Sequence, residues 1–110
     1  MRNFIQTGDV ITVPAPYAVI SGQGVLVGAL FGISAFDAAN GADIEIKRQG
    51  VFDVAALSTD TGAIGAKVYW DSTNRRITVT ATNNTLVGAL TGVKANGVAV
   101  ARVLLDGAVR

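Results

Sequence analysis

The stretches LVGALFGISA (residues 26–35) and LVGALTGVKA (residues 86–95) begin with the same pentapeptide and lie 60 positions apart. Both are rich in Val, Leu and Ala and contain two glycines, a composition typical of strands in which glycine marks a bulge or a bend. The repeat predicts a small, internally pseudo-symmetric β structure rather than the deep cleft of an enzyme.

Strand patterns continue on both sides of the repeat. Residues 42–48 alternate, with Ile44 and Ile46 on one face and charged side chains on the other, as in a half-buried antiparallel strand. Asn96 and Gly97 form a hairpin signal. Strands are predicted over residues 10–13, 17–20, 25–30, 42–48, 51–55, 67–71, 76–80, 85–95 and 98–105. The predicted fold is all-β, with short antiparallel strands that close, or nearly close, into a small barrel or compact sandwich.

Large apolar side chains of these strands are the candidates for core or subunit packing. Neighbouring side chains on a strand point to opposite faces, so one of Tyr69 and Trp70 is expected in the core and the other outside. The full set of predicted packing residues is Leu26, Val27, Leu30, Phe52, Tyr69, Trp70, Leu86, Val87 and Leu90.

Residues 1–7 are predicted to form an N-terminal arm that precedes a single all-β domain over residues 8–110. Phe4 and Ile5 have no alternating partner strand and are costly to leave in water, which favours an arm that docks on another protein. The alternative is a frayed terminus. The predicted contact residues of the arm are Arg2, Asn3, Phe4, Ile5 and Gln6.

The composition predicts a large permanent interface. Half of the 110 residues are hydrophobic and 15% are charged, whereas about 25% of the residues of a typical domain are charged. A small domain has too little interior to hide so much apolar material, so we expect oligomerisation. The alternative is a monomer whose many Ala and Gly residues inflate the hydrophobic count.

Several function classes are disfavoured by what the chain lacks. It has no His and no Cys, so we expect no metal site, no cofactor and no catalytic triad. Its net charge is +1 and its basic residues form no stripe, so we expect no nucleic-acid partner. The loop GAIGAKV (residues 62–68) has the wrong spacing for a phosphate loop and ends in Val68 where a hydroxyl is needed. The longest apolar run, residues 25–35, is shorter than the roughly 20 residues of a membrane helix. We therefore expect neither an enzyme nor a membrane or small-molecule binder.

The chain resembles the bacteriophage capsid cement, or head decoration, proteins. The resemblance is carried, in order, by GDVITVPAP (8–16), VLVGALFGISA (25–35), GVFDVA (50–55), KVYWD (67–71) and VAVARVLLDG (98–107). It implies a structural virion protein, made in the host bacterial cytoplasm, that binds the major capsid protein on the outside of a mature head as a homotrimer and stabilises the lattice. Two alternatives remain: another structural part of the phage, such as a tail or baseplate adaptor, and a carbohydrate-binding module that would use Tyr69 and Trp70.

Overall fold

The computed structural model describes residues 10–107, which contain nine β-strands and no helix. The strands are β1 (Val10–Pro14), β2 (Gly24–Val27), β3 (Leu30–Ser34), β4 (Asp43–Lys47), β5 (Gln49–Ala55), β6 (Lys67–Asp71), β7 (Arg76–Thr78), β8 (Thr85–Leu90) and β9 (Val100–Asp106). They form two antiparallel sheets, ordered β1-β4-β3-β2 and β5-β9-β8-β6-β7. The all-β prediction is confirmed. A helix able to cross a membrane is not found among these residues.

The four-stranded sheet is organised around β4. This strand pairs with β1 over five positions, including Val13 with Ile44 and Ile11 with Ile46, and its other edge pairs with β3. Ile44 and Ile46 point inward and are buried, as their alternation with charged residues predicted. They pack with Val25 and other apolar residues into one of two core clusters.

The five-stranded sheet curls until its two edges meet. Ala56, just after β5, forms a parallel bridge with Ile77 of β7, and the N–H of Leu57 donates to the Ile77 carbonyl at 2.9 Å. The pairing of β6 with β8 shifts so that Tyr69 pairs with Leu86 and Val68 with Gly88. This bulge adds bend and twist to the sheet. The nearly closed barrel that the strand pattern predicted is confirmed, and its interior is the second core cluster.

Aromatic contacts join the two sheets. The rings of Trp70 in β6 and Phe31 in β3 lie 5.1 Å apart, and Trp70 also covers Gly24, where a Cβ atom would come within 2.7 Å of the indole. The guanidinium of Arg75 lies 3.8 Å from the centre of the Tyr17 ring, while the Tyr17 hydroxyl donates to the Gly24 carbonyl at 2.7 Å. Glycine at position 24 is therefore required for the sheets to approach each other.

The two copies of the repeat fold differently, so the predicted pseudo-symmetry is wrong. In the first copy the chain turns at Gly28, which has a φ of 60°, and this turn separates β2 from β3. In the second copy the same pentapeptide runs straight through β8, with Gly88 paired to Leu105. The neighbouring strands differ at the two places, and these partners decide which conformation the shared residues adopt.

Three predicted strands are also corrected. Residues 17–20 form only an isolated bridge between Val19 and Ala38, because the chain bends after Pro16 and pairs at a single position. The strand predicted over 76–80 ends at Thr78, because the N–H of the next residue, Val79, donates to the Asp60 carboxylate. The strand predicted over 85–95 ends at Leu90, and residues 91–99 form a long loop with a turn at Asn96 and Gly97.

Candidate interaction surface

One side of the β5–β9 pair faces outward. We call this side the outer face and define it by Val51, Asp53, Ala55, Val100, Arg102 and Leu104. The register places Val51 opposite Leu104, Asp53 opposite Arg102 and Ala55 opposite Val100. All six are exposed, since the alternating residues Ala101, Val103 and Leu105 take the barrel side. Val51 and Leu104 are 54% and 43% exposed. The outer face is thus a row of apolar side chains interrupted by two charges.

The two charges form a bidentate ion pair at the centre of the outer face. Arg102 donates from Nε to Asp53 Oδ1 at 2.9 Å and from its terminal nitrogen to Oδ2 at 3.1 Å. The hydrogen bond from the guanidinium lowers the pKa of Asp53, and the same bond raises the pKa of Arg102. Both groups remain exposed, so each can accept a further partner. The centre of the face carries no net charge.

A groove of about 300 Å³ continues the outer face at the end where β9 begins. Its lining includes Asp53 and Arg102 together with the loop residues Val93 and Val98. Val93 is the most exposed of these hydrophobic side chains, at 74%. Within residues 10–107, five of the eight exposed large hydrophobic side chains belong to the outer face or this groove: Val51, Val93, Val98, Val100 and Leu104.

A buried lysine holds the loop that forms the groove. Lys94 is 4% exposed, and its ammonium group donates to the carbonyls of Ser58, Asp60 and Ala95 at 3.4, 3.1 and 3.0 Å. Its backbone also exchanges two hydrogen bonds with Gly62. These bonds tie residues 91–99 to the segment after β5. The groove therefore has a fixed wall, because an ammonium group taken out of water needs its carbonyl partners.

The residues predicted for packing divide between the two cores. Three lie buried in the barrel: Trp70, Val87 and Leu90. Six are half-buried: Leu26, Val27, Leu30, Phe52, Tyr69 and Leu86. None belongs to the outer face or the groove, and their part in subunit packing stays a prediction. The arm residues 2–6 lie outside the described part of the chain. Because Trp70 is 2% exposed, it cannot serve as a sugar-stacking platform.

Sequence reasoning missed the outer face and Lys94. The alternation in VAVARVLLD (residues 98–106) was the available signal for the face, since it places Val100, Arg102 and Leu104 on one side of a strand. For Lys94 the signal was one cation inside an otherwise uncharged repeat, at the position that Ser34 occupies in the first copy. Ser34 is also buried, and its hydroxyl donates to the Phe36 carbonyl at 2.6 Å.

A family model described as phage cement protein matches residues 5–105. The chain belongs to the phage cement protein family. This confirms the family predicted from the five sequence motifs and gives the protein a structural role associated with a phage capsid. Searches of curated proteins and of solved structures return no significant match.

Proposed function

We propose that this cement protein binds the outer surface of a mature phage head as a homotrimer and stabilises the lattice of the major capsid protein. The family match carries the proposal, and the exposed apolar side chains of the outer face and groove support it. A protein that binds the mature lattice better than its precursor stabilises the mature state by mass action. The protein would need broad contact surfaces for this and no chemistry.

The N-terminal arm is our candidate for the contact with the shell. Ordering an arm costs about 1–2 kcal/mol per residue in backbone entropy. Burying Phe4 and Ile5 offsets part of this cost, at roughly 1.5–3 kcal/mol for each side chain. Backbone hydrogen bonds to an edge strand of the shell would supply the remainder. Residues 2–6 therefore serve the head, while the barrel and the four-stranded sheet provide the folded body.

Titration of purified undecorated heads tests the proposal. The full chain and a variant lacking residues 1–6 are compared for head binding, for melting temperature and for mass in solution. We expect the deletion to weaken head binding at least tenfold, equivalent to about 1.4 kcal/mol, without changing the melting temperature or the mass. Unaltered head affinity would place the shell contact elsewhere, and loss of folding would assign the arm to the protein's own core.

The location of the protein on the particle decides between the head and other phage structures. Electron cryomicroscopy of decorated particles should show its density on the outer head facets in groups of three. Density on the tail or baseplate would instead support an adaptor role, and density on the inner surface of the shell would contradict the proposal.

A further inference from the structure

We propose that Asn96 is a site of spontaneous deamidation, at which the folded protein slowly converts an amide into a carboxylate within the loop that lines the groove. The chain has six asparagines, of which only Asn40 and Asn96 are followed by glycine. Both lie in the tripeptide Ala-Asn-Gly, so the chain supplies its own comparison. The inference is independent of the proposed homotrimer and of head binding.

The reaction uses the backbone nitrogen of the residue that follows the asparagine. This nitrogen loses its proton to solvent and forms a bond to the side-chain carbon Cγ. The C–N bond of the side-chain amide then breaks, and the amide nitrogen takes a proton from solvent and leaves as ammonia. Water opens the resulting five-membered succinimide ring at one of its two carbonyls, which gives aspartate or isoaspartate. Glycine favours ring closure because it has no side chain to crowd the attacking nitrogen.

The two Asn-Gly pairs form the same kind of turn. A hydrogen bond from the Ala42 N–H to the Ala39 carbonyl closes the first turn at 3.0 Å, and the corresponding bond of the second turn is 3.3 Å long. Gly41 and Gly97 both have a positive φ, of 85° and 94°. Both asparagines are exposed to the water that the reaction consumes. The turns themselves therefore do not separate the two sites.

Tertiary hydrogen bonds protect Asn40 well. A glycine N–H held in a hydrogen bond cannot give its proton to solvent until that part of the structure opens. Gly41 donates to the Ala15 carbonyl at 2.9 Å, and the Ala15 N–H donates back to the Ala42 carbonyl at 2.8 Å. Ala15 is 2% exposed and directly follows β1. Opening at Asn40 therefore requires this end of the β1–β4 pair to separate.

The protection of Asn96 is weaker. Gly97 donates to the Ser58 carbonyl at 2.7 Å, beyond the last paired position of β5 and β9. Among the described residues, Ser58 donates no backbone hydrogen bond in return. Residues 95–100 are all exposed, so opening this bond uncovers no core side chain. Since loops open at a lower free energy than paired strands, we expect Asn96 to react about tenfold faster than Asn40 or more, equivalent to about 1.4 kcal/mol.

Deamidation at Asn96 changes the wall of the groove. Val93, Lys94 and Val98 of the same loop line this groove. The new carboxylate removes one unit from a formal net charge of +1. Isoaspartate also adds a methylene group to the backbone of the turn. The product is therefore distinguishable by charge as well as by mass.

Peptide mapping of the full chain tests the inference. The folded protein is incubated in mildly alkaline buffer, and samples are digested with trypsin at intervals and analysed by tandem mass spectrometry. Trypsin places Asn96 in the peptide of residues 95–102 and Asn40 in that of residues 3–47. A sample digested without incubation corrects for reaction during the digest. We expect the mass gain of deamidation to accumulate about tenfold faster at Asn96 than at Asn40, or more.

Two matched variants assign the acidic form that isoelectric focusing detects. Asn96→Gln should prevent its accumulation, because glutamine has to close a less favourable six-membered ring, whereas Asn40→Gln should leave it unchanged. An acidic form that persists in Asn96→Gln overturns the inference, as do equal rates at the two sites or a faster reaction at Asn40. The free peptide of residues 95–102 gives the unprotected rate. A folded chain whose Asn96 stays intact after this peptide has fully converted also overturns the inference.

Discussion

Gly28 and Gly88 occupy the same position in the two copies of the pentapeptide LVGAL but have different conformations. Gly28 turns the chain with a φ of 60°, while Gly88 lies within β8 against the carbonyl oxygen of Leu104. Glycine is required at both places for different reasons. At Gly28 the backbone adopts the left-handed region, and a Cβ atom there would meet open space. At Gly88 a Cβ atom would collide with the backbone of β9.

Substitution by alanine should separate these two reasons. Gly28→Ala is expected to cost about 1–2 kcal/mol, the usual penalty of left-handed backbone for an L-residue. Gly88→Ala should cost about 3 kcal/mol or more, because the clashing atom belongs to backbone and β8 must move away from β9. Urea denaturation of both variants measures the difference. Equal losses, or a milder effect at Gly88, would contradict the close approach of the two strands.

Trp70 should be the most sensitive side chain at the junction of the two sheets. It is buried, contacts the Phe31 ring at a tilt of 49° and covers Gly24. Trp70→Ala is expected to destabilise the fold by about 3–5 kcal/mol, a large share of the roughly 5–15 kcal/mol that holds a domain folded. The half-buried neighbour gives the control, since Tyr69→Ala should cost clearly less. Thermal melts of the two variants are the measurement, and similar losses would argue against this placement.

Lys94 should stabilise the protein through its ammonium group rather than through packing of its stem. Lys94→Met keeps the length of the side chain but removes the ammonium donor from the Asp60 carbonyl, whereas the carbonyls of Ser58 and Ala95 keep backbone donors. We expect a loss of about 1.5–3 kcal/mol, the range for a hydrogen bond to a charged group. Lys67→Met, at an exposed position, is the matched control and should be nearly neutral. If both variants melt alike, the carbonyl contacts contribute nothing.

Stability should depend on pH at the acid end. The side-chain amide of Asn74, followed by backbone N–H groups of the same turn, lowers the pKa of Asp71, and Arg102 lowers the pKa of Asp53. A carboxylate whose pKa is lower in the folded than in the unfolded state stabilises the fold at any pH above its unfolded-state pKa. This stabilisation is lost as the pH falls through the folded-state pKa. We expect melting temperatures to be flat between about pH 5 and 8, since the chain has no His, and to fall below about pH 4.

Calorimetry across this range is the measurement, with two variants as probes. Asp71→Asn and Asp53→Asn should each reduce the decline at acid pH, because they remove a group whose protonation drives it. A steep change near neutral pH, or an unaltered acid decline in both variants, would show that other groups control the titration.

Local alternation predicted the parts of the fold that depend on one strand at a time. Ile44 and Ile46 lie on the buried face of β4 as their pattern indicates, and β6 and β7 begin where strands were predicted, at residues 67 and 76. An alternating strand can bury only one face, so its pattern shows which side chains point inward without reference to a partner. The prediction over residues 17–20 failed because a β-branched run needs a neighbour, and only Val19 finds one.

The sequence by itself determined that this protein is all-β, that it belongs among the phage cement proteins and that its interior is built from alternating apolar residues. Only the tertiary structure decided that one LVGAL turns while the other extends, that Lys94 is buried and that Val93 lines one groove with Asp53 and Arg102. The physical reason is that periodicity and turn chemistry act between residues close in the chain. Strand pairing, the carbonyl groups around the Lys94 ammonium and the exposed faces of the sheets are formed by segments far apart in sequence. They therefore depend on which strands pair with each other.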